Sequence, residues 1–403
     1  MTEESENKQG ISTRANATGW NKLSNELQHK IIAHAVDDSD AWRANETLGA
    51  VLRTSRHFHD LAGSRALRQY KDNLDGGRLV SEAVTETTFP NNNFSDNTIW
   101  WGRRDIGKEA AAVTPALEFQ SPEMRSEIFN NIAAKAADKR MLGYSYIAER
   151  ADLFQDHETS HMYRDALNTF REDNPFTRYS AAVVLVKRYD DIGHEARAQL
   201  QETVSYNENE RQRVDFSEAI ANCNPSLLKD DSLRLLVREN LGRLEDPHEA
   251  LAQLASYIDK NSRADTDFII EESFRRFGGS TVSGEEHGLK APALAIAKVF
   301  DGNIRQEHRD RIAELRQSDT EKGHALASAF KELERDRPGE ASIESGMRGS
   351  AKLLRKVVRS QNMSDEVAAI DGVGDVAKSN QKQMNAARKA LMNSVCDRND
   401  RVR

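Results

Sequence analysis

The sequence predicts an all-α protein, and three observations predict it. Apolar residues recur at three- and four-residue steps through most of the chain. Several of these periodic stretches open on a polar residue followed by Pro. No alternating pattern long enough for a convincing strand interrupts them. Only eight prolines occur in 403 residues. The expected organisation is a disordered N-terminus (1–18), a small trihelical module (19–70), a connector (71–113), a helical-repeat array (114–337) and a flexible basic tail (338–403).

Composition narrows the function classes. The net charge of −8 argues against a general nucleic-acid binder, whose affinity comes from neutralising phosphates. No apolar run approaches the length that crosses a bilayer, so no membrane partner is expected. Cys223 and Cys396 are the only cysteines, which gives neither a disulfide framework nor a paired thiolate metal site and points to a reducing compartment. Met1 to Thr18 is polar, carries Glu3, Glu4, Glu6 and Lys8, and has no apolar block of the kind a secretory signal needs.

The module is read from Trp20 onward. Leu23, Leu27 and Ile31 form one helical stripe, with Ser24 placed to satisfy the free N–H groups of a first turn. Asp37-Asp38-Ser39-Asp40 breaks that helix. From Glu46 the period resumes through Leu48, Val51, Leu52, Phe58 and Leu61, flanked by Arg53, Arg56 and His57.

This stretch resembles the F-box family. The family pattern Leu-Pro-x-Glu-Leu, then Ile, then a second helix with an Arg-Phe-like pair before Leu-Ala, corresponds here to Leu23-Ser24-Asn25-Glu26-Leu27, Ile31 and Arg56-His57-Phe58-His59-Asp60-Leu61-Ala62. Ser24 stands where the family has Pro; Pro favours the first helical turn, and Ser starts a helix by capping instead. The resemblance implies that Leu23, Ser24, Leu27, Ile31, Leu48, Leu52, Phe58 and Leu61 serve docking on a Skp-type adaptor of an SCF ubiquitin ligase. It also implies that the chain recruits a target protein and itself catalyses nothing. The alternative reading of the same residues is an ordinary amphipathic helix pair in a larger helical domain.

Tyr70 to Glu109 reads as irregular, with Gly76-Gly77, Pro90-Asn91-Asn92-Asn93 and Trp100-Trp101 as landmarks. Beyond it the helices are well marked. Ser121-Pro122 opens one through Met124, Ile128, Phe129 and Ile132, and Asn174-Pro175 opens another through Tyr179, Val183, Val184 and Val186. Further stripes run through Val214–Ile220, Leu233–Leu244, Ala250–Ile258, Phe268–Phe277, Pro292–Phe300 and Ile304–Leu315. Short turns between them suggest paired helices stacked as an irregular, HEAT-like solenoid, with a compact bundle as the alternative. Gly278 to Glu286 reads as a loop without the Lys of a phosphate-binding loop.

Past Pro338 small and polar residues mix with Arg348, Lys352, Arg355, Lys378, Lys382 and Arg388, and the chain ends with Arg398, Arg401 and Arg403. The Arg-ended tail is similar to the C-terminal transport signals of effectors exported by bacterial type IV secretion machines; a charged, frayed terminus is the plain alternative. Taken with the F-box-like start, this implies an effector that leaves the bacterial cytoplasm for the cytoplasm or nucleus of a host cell.

One enzyme-like motif remains. His157-Glu158-Thr159-Ser160-His161 matches H-E-x-x-H, in which two histidines one turn apart bind zinc and the Glu activates a bound water. Thr159 stands where zincins prefer a bulky apolar residue, and no His or Glu follows at a standard third-ligand offset. A zinc peptidase is therefore the enzyme alternative, and a plain interaction scaffold the third reading. The sequence assigns no catalytic residue, no metal and no cofactor.

Overall fold

The computed structural model describes residues 40–54, 65–95, 105–172, 174–205, 210–279, 286–335 and 366–396. Among them are sixteen α-helices and no strand, so the described fold is all-α. Residues 1–39, 55–64 and 397–403 are outside this set, and with them most of the F-box-like segment and the three terminal arginines.

Twelve helices form the array: α4 (Pro122–Ala133), α5 (Ala137–Ile147), α6 (Asp156–Arg171), α7 (Pro175–Lys187), α8 (His194–Ser205), α9 (Glu210–Cys223), α10 (Asp231–Asn240), α11 (Pro247–Tyr257), α12 (Arg263–Gly279), α13 (Glu286–Val299), α14 (Gln306–Gln317) and α15 (Glu321–Arg335). Preceding them are α1 (Ala41–Thr54), α2 (Arg65–Thr88) and α3 (Ile106–Val113), and α16 (Glu366–Cys396) closes the described chain.

Two layers result. From α3 to α15 each odd-numbered helix packs on the next odd-numbered one, making a continuous row, and the even-numbered helices lie against that row. The sequence explains the division. A helix covered on most sides must be apolar nearly all round, whereas one on the surface needs a single stripe. Accordingly α7 buries every residue from Ala181 to Val186, and α11 buries Ala250, Leu251, Ala252, Leu254 and Ala255. By contrast α10 hides Leu233, Leu236, Val237 and Asn240 and turns Asp231, Ser232, Leu235 and Glu239 outward.

Helix starts follow the expected chemistry. Ser121 accepts the Met124 N–H at 3.2 Å with Pro122 in the first turn, Asp230 accepts from Ser232 and Leu233, and Asp246 accepts from Glu249 ahead of α11. Neighbouring repeats are tied by recurring polar links. Arg178 pairs with Asp215 at 2.5 Å, Arg213 with Glu239 at 2.6 Å and Arg238 with Asp265 at 2.9 Å. Asn224 donates to the Val186 carbonyl at 3.0 Å, and Asn303 N–H to the Lys260 carbonyl at 2.7 Å. Between 114 and 335 the described residues are helices in extensive mutual packing, an arrangement consistent with a helical-repeat array. One boundary differs: α13 starts at Glu286 and runs through Pro292, which the sequence places at a helix start.

The two ends correct the expectation more deeply. Residues expected as an irregular connector form the 24-residue α2. Gly76 and Gly77, normally breakers, lie inside it, because a Cβ at Gly77 would sit 2.1 Å from the Phe119 ring. Only a glycine lets Phe119 pack that close. Ser81 donates to the Ala116 carbonyl at 3.0 Å, and Gln120 donates to Thr85 at 2.6 Å, fixing α2 to the turn before α4.

The C-terminal stretch is likewise not a flexible tail between 366 and 396. It is the 31-residue α16, which packs along α2 and α3. Ile370, Val373, Ala377, Asn380, Met384 and Ala387 are all buried; their alternating three- and four-residue spacing makes one continuous seam. Gly374 brings α16 to 3.1 Å of the Ala112 side chain, as judged from where a Cβ would stand.

Buried charge locks these ends to the array. Asp40 caps α1 by accepting from Trp42 N–H at 3.0 Å, and its carboxylate receives both terminal nitrogens of Arg125, at 2.7 and 2.5 Å. Arg125 also donates to the Leu117 carbonyl at 2.9 Å. Glu118, 1% exposed at its side chain, faces Arg388 of α16 at 3.2 Å and Arg150 at 3.6 Å. Burial outweighs both arginines and holds the Glu118 carboxyl above the usual carboxylate range.

Candidate functional site

Of the residues expected to dock an adaptor, Leu23, Ser24, Leu27, Ile31, Phe58 and Leu61 lie outside the described residues. Leu52 is on α1, and its side chain is also outside them. Leu48 is 1% exposed. It faces the chain's own core on a helix that packs against α2 and the turn at Thr114–Phe119, so its apolar surface is already used. The helix that carries it starts at Ala41, five residues before the sequence reading. Arg398, Arg401, Arg403 and the pair Trp100-Trp101 are outside the described residues.

The H-E-x-x-H motif opens α6. Its Glu158 is 3% exposed and accepts the Gln155 N–H at 2.8 Å, closing the free end of the helix. A carboxylate held this way serves the helix start instead of an incoming water. His157 and His161 are exposed and line one cleft of about 650 Å³ with Phe129, Asn130 and Ala133 of α4 and with Asp156, Ser160 and Arg164 of α6. His161 is oriented. Its Nδ1 is 3.3 Å from the Tyr144 hydroxyl, and the Phe129 ring meets it edge-on with centroids 6.2 Å apart. Burial raises the Tyr144 pKa, with the nearby Asp165 adding to the effect, so the phenol stays neutral. Among the described residues no group of three or more His, Cys, Asp or Glu is placed to hold a metal ion. A peptidase of the expected kind thus lacks its third ligand there.

A second concavity lies in the even-numbered layer, between α10 and α12. Leu235, Leu254, Ile258 and Phe268 supply apolar walls, and Asp231, Arg234, Arg238 and Asp265 supply a charged rim around about 230 Å³. Leu235 is 53% exposed, the most of any large apolar side chain among the described residues. Its neighbours are fixed. Arg238 stacks 4.0 Å over the Phe268 ring while paired to Asp265, and Arg234 donates to the Leu228 carbonyl at 3.1 Å. The sequence reading passed over this groove. The signal was present: Leu235 sits off the buried stripe of Leu233, Leu236 and Val237 on an otherwise charged helix face.

Cys223 is half-buried, and burial raises its thiol pKa, which opposes a nucleophilic role. No helix among the described residues is long and apolar enough to cross a membrane. Compared with protein-family models, with curated proteins and with solved structures, the chain matches none.

Proposed function

We propose that the chain is a helical protein-interaction scaffold that binds another polypeptide in the groove between α10 and α12. The observation that carries this is Leu235, an exposed leucine held between fixed arginines on a two-layer array. An apolar centre with a polar rim is the anatomy of protein interfaces, and the flanking Arg234 and Arg238 belong to a residue type enriched at their hot spots. Chemistry at the bound partner then belongs to other proteins. The test is affinity capture from bacterial and eukaryotic extracts with wild type and Leu235→Asp in parallel. The expected outcome is a polypeptide set depleted about tenfold by the substitution, equivalent to ~1.4 kcal/mol, at unchanged helix content. Identical capture by both forms overturns the groove.

A second reading keeps the ubiquitin link. The F-box-like spacing between Trp20 and Ala62 supports docking on a Skp-type adaptor, and the buried Asp40–Arg125 pair would hold such a module in fixed relation to the array. The Arg-ended tail supports delivery of the chain into a host cell as a bacterial effector. Direct titration of the full chain with a purified Skp-type adaptor separates this reading from the plain scaffold. A complex lost on Leu23→Ala supports the adaptor role, and no complex leaves the scaffold alone.

A further inference from the structure

The cleft between α4 and α6 contains two histidines that the proposed scaffold role does not use. On a regular helix, residues four apart stand one above the other on the same face, with Cβ atoms about 5–6 Å apart. His157 and His161 hold that relation within α6, both are exposed, and both rings line the same cleft. Two imidazoles so placed can share one metal ion, as the first half of any H-x-x-x-H site does.

The surroundings of His161 select the coordinating atom. The Tyr144 hydroxyl occupies Nδ1 and the Phe129 edge restrains the ring, which leaves Nε2 as the free nitrogen. Binding through Nε2 requires the tautomer with the proton on Nδ1, and the Tyr144 oxygen is then its acceptor. A second hydrogen bond to the remote nitrogen is what fixes tautomer and ring direction in metal-binding histidines. Glu158 takes no part, being committed to the helix start.

We propose that His157 and His161 form a two-imidazole site for a divalent transition-metal ion. Copper(II) binds most tightly and zinc more weakly, as the intrinsic order for nitrogen ligands requires. The protein fills two positions. The others face the cleft and take water or a donor side chain from a bound molecule, so the site is distinct from a closed structural centre. Arg164 lines the same cleft and opposes a cation there, while the carboxylates of Asp156 and Glu158 in the same lining favour one.

The test is calorimetric titration of the full chain with copper(II) and with zinc, together with the copper electron paramagnetic resonance spectrum. The expected result is one copper ion per chain with two nitrogen ligands in the spectrum. His157→Ala and His161→Ala each weaken binding by at least about tenfold, and Tyr144→Phe by roughly tenfold, without changing helix content. Arg164→Ala strengthens binding. Copper binding that survives both histidine substitutions overturns the proposal, as does a spectrum without nitrogen ligands. Unchanged affinity in Tyr144→Phe removes the positioning role of Tyr144 alone.

Discussion

The array and the two chain ends are built from the same helices by different means. Within the array, each helix meets partners a few dozen residues away, through apolar stripes and Arg–carboxylate pairs that range from nearly buried, Arg178–Asp215, to half-exposed at the carboxylate, Arg213–Glu239. At the ends, α1, α2 and α16 are joined to the turn at Thr114–Phe119 by buried charge, by interior glycines and by a contact spanning 270 residues between Arg388 and Glu118. Stability in a stacked array is close to a sum of repeat and nearest-neighbour terms. The ends add to the apolar seam of α16 two buried charge clusters, Asp40–Arg125 and Glu118–Arg388.

Removing one partner from each kind of pair gives the largest expected separation. Arg125→Ala leaves the Asp40 carboxylate buried without its bidentate partner, and the expected loss is about 3–5 kcal/mol. Arg213→Ala breaks an array pair whose Glu239 partner is 51% exposed, and the expected loss is at most about 1 kcal/mol. Urea unfolding followed by circular dichroism measures both. Equal losses would erase the distinction drawn between the two regions.

Glycine substitutions sharpen the same contrast at a smaller scale. At Gly77 the added methyl would fall 2.1 Å from the Phe119 ring, so Gly77→Ala forces α2 away from the turn. Overpacking of this kind costs about 1–3 kcal/mol and outweighs the ~1 kcal/mol that Ala gains over Gly in a helix. At Gly242, in the array, a Cβ meets nothing within 4 Å, and Gly242→Ala is expected to change stability by less than about 0.5 kcal/mol. A neutral Gly77→Ala would mean that Phe119 yields easily and that the close approach does not hold the end together.

These differences also explain what the sequence made legible. Helix stripes and caps are local, so Ser121-Pro122, Asn174-Pro175 and the apolar run of α7 announce themselves without knowledge of the fold. Gly76-Gly77 reads as a break because its reason, Phe119, is more than forty residues away. The basic residues of α16 draw attention to charge and conceal the seam from Ile370 to Ala387, whose small residues Ala377 and Ala387 are weak apolar signals. In the cleft, the motif residues were visible, but the capture of Glu158 by the Gln155 N–H depends on where α6 begins. The groove at Leu235 required knowing that α12 lies beside α10.

The subtlest test concerns the sign of the charge effect at Glu118. Burial raises its carboxyl pKa more than Arg388 and Arg150 lower it. Between the ordinary carboxylate value of ~4.3 and the raised one, the folded chain therefore binds more protons than the unfolded chain. Stability must then fall as pH rises across that window: the contribution of Glu118 is fully present below the ordinary value and is lost as pH climbs through the raised one. Glu118→Gln removes the titration while keeping the shape of the side chain. Urea midpoints of wild type and Glu118→Gln, measured in steps from acid to neutral pH, should diverge, with wild type losing ground as pH rises. The opposite slope would show that Arg388 and Arg150 stabilise an ionised Glu118, making the junction of α16 with the array a true ion-pair lock.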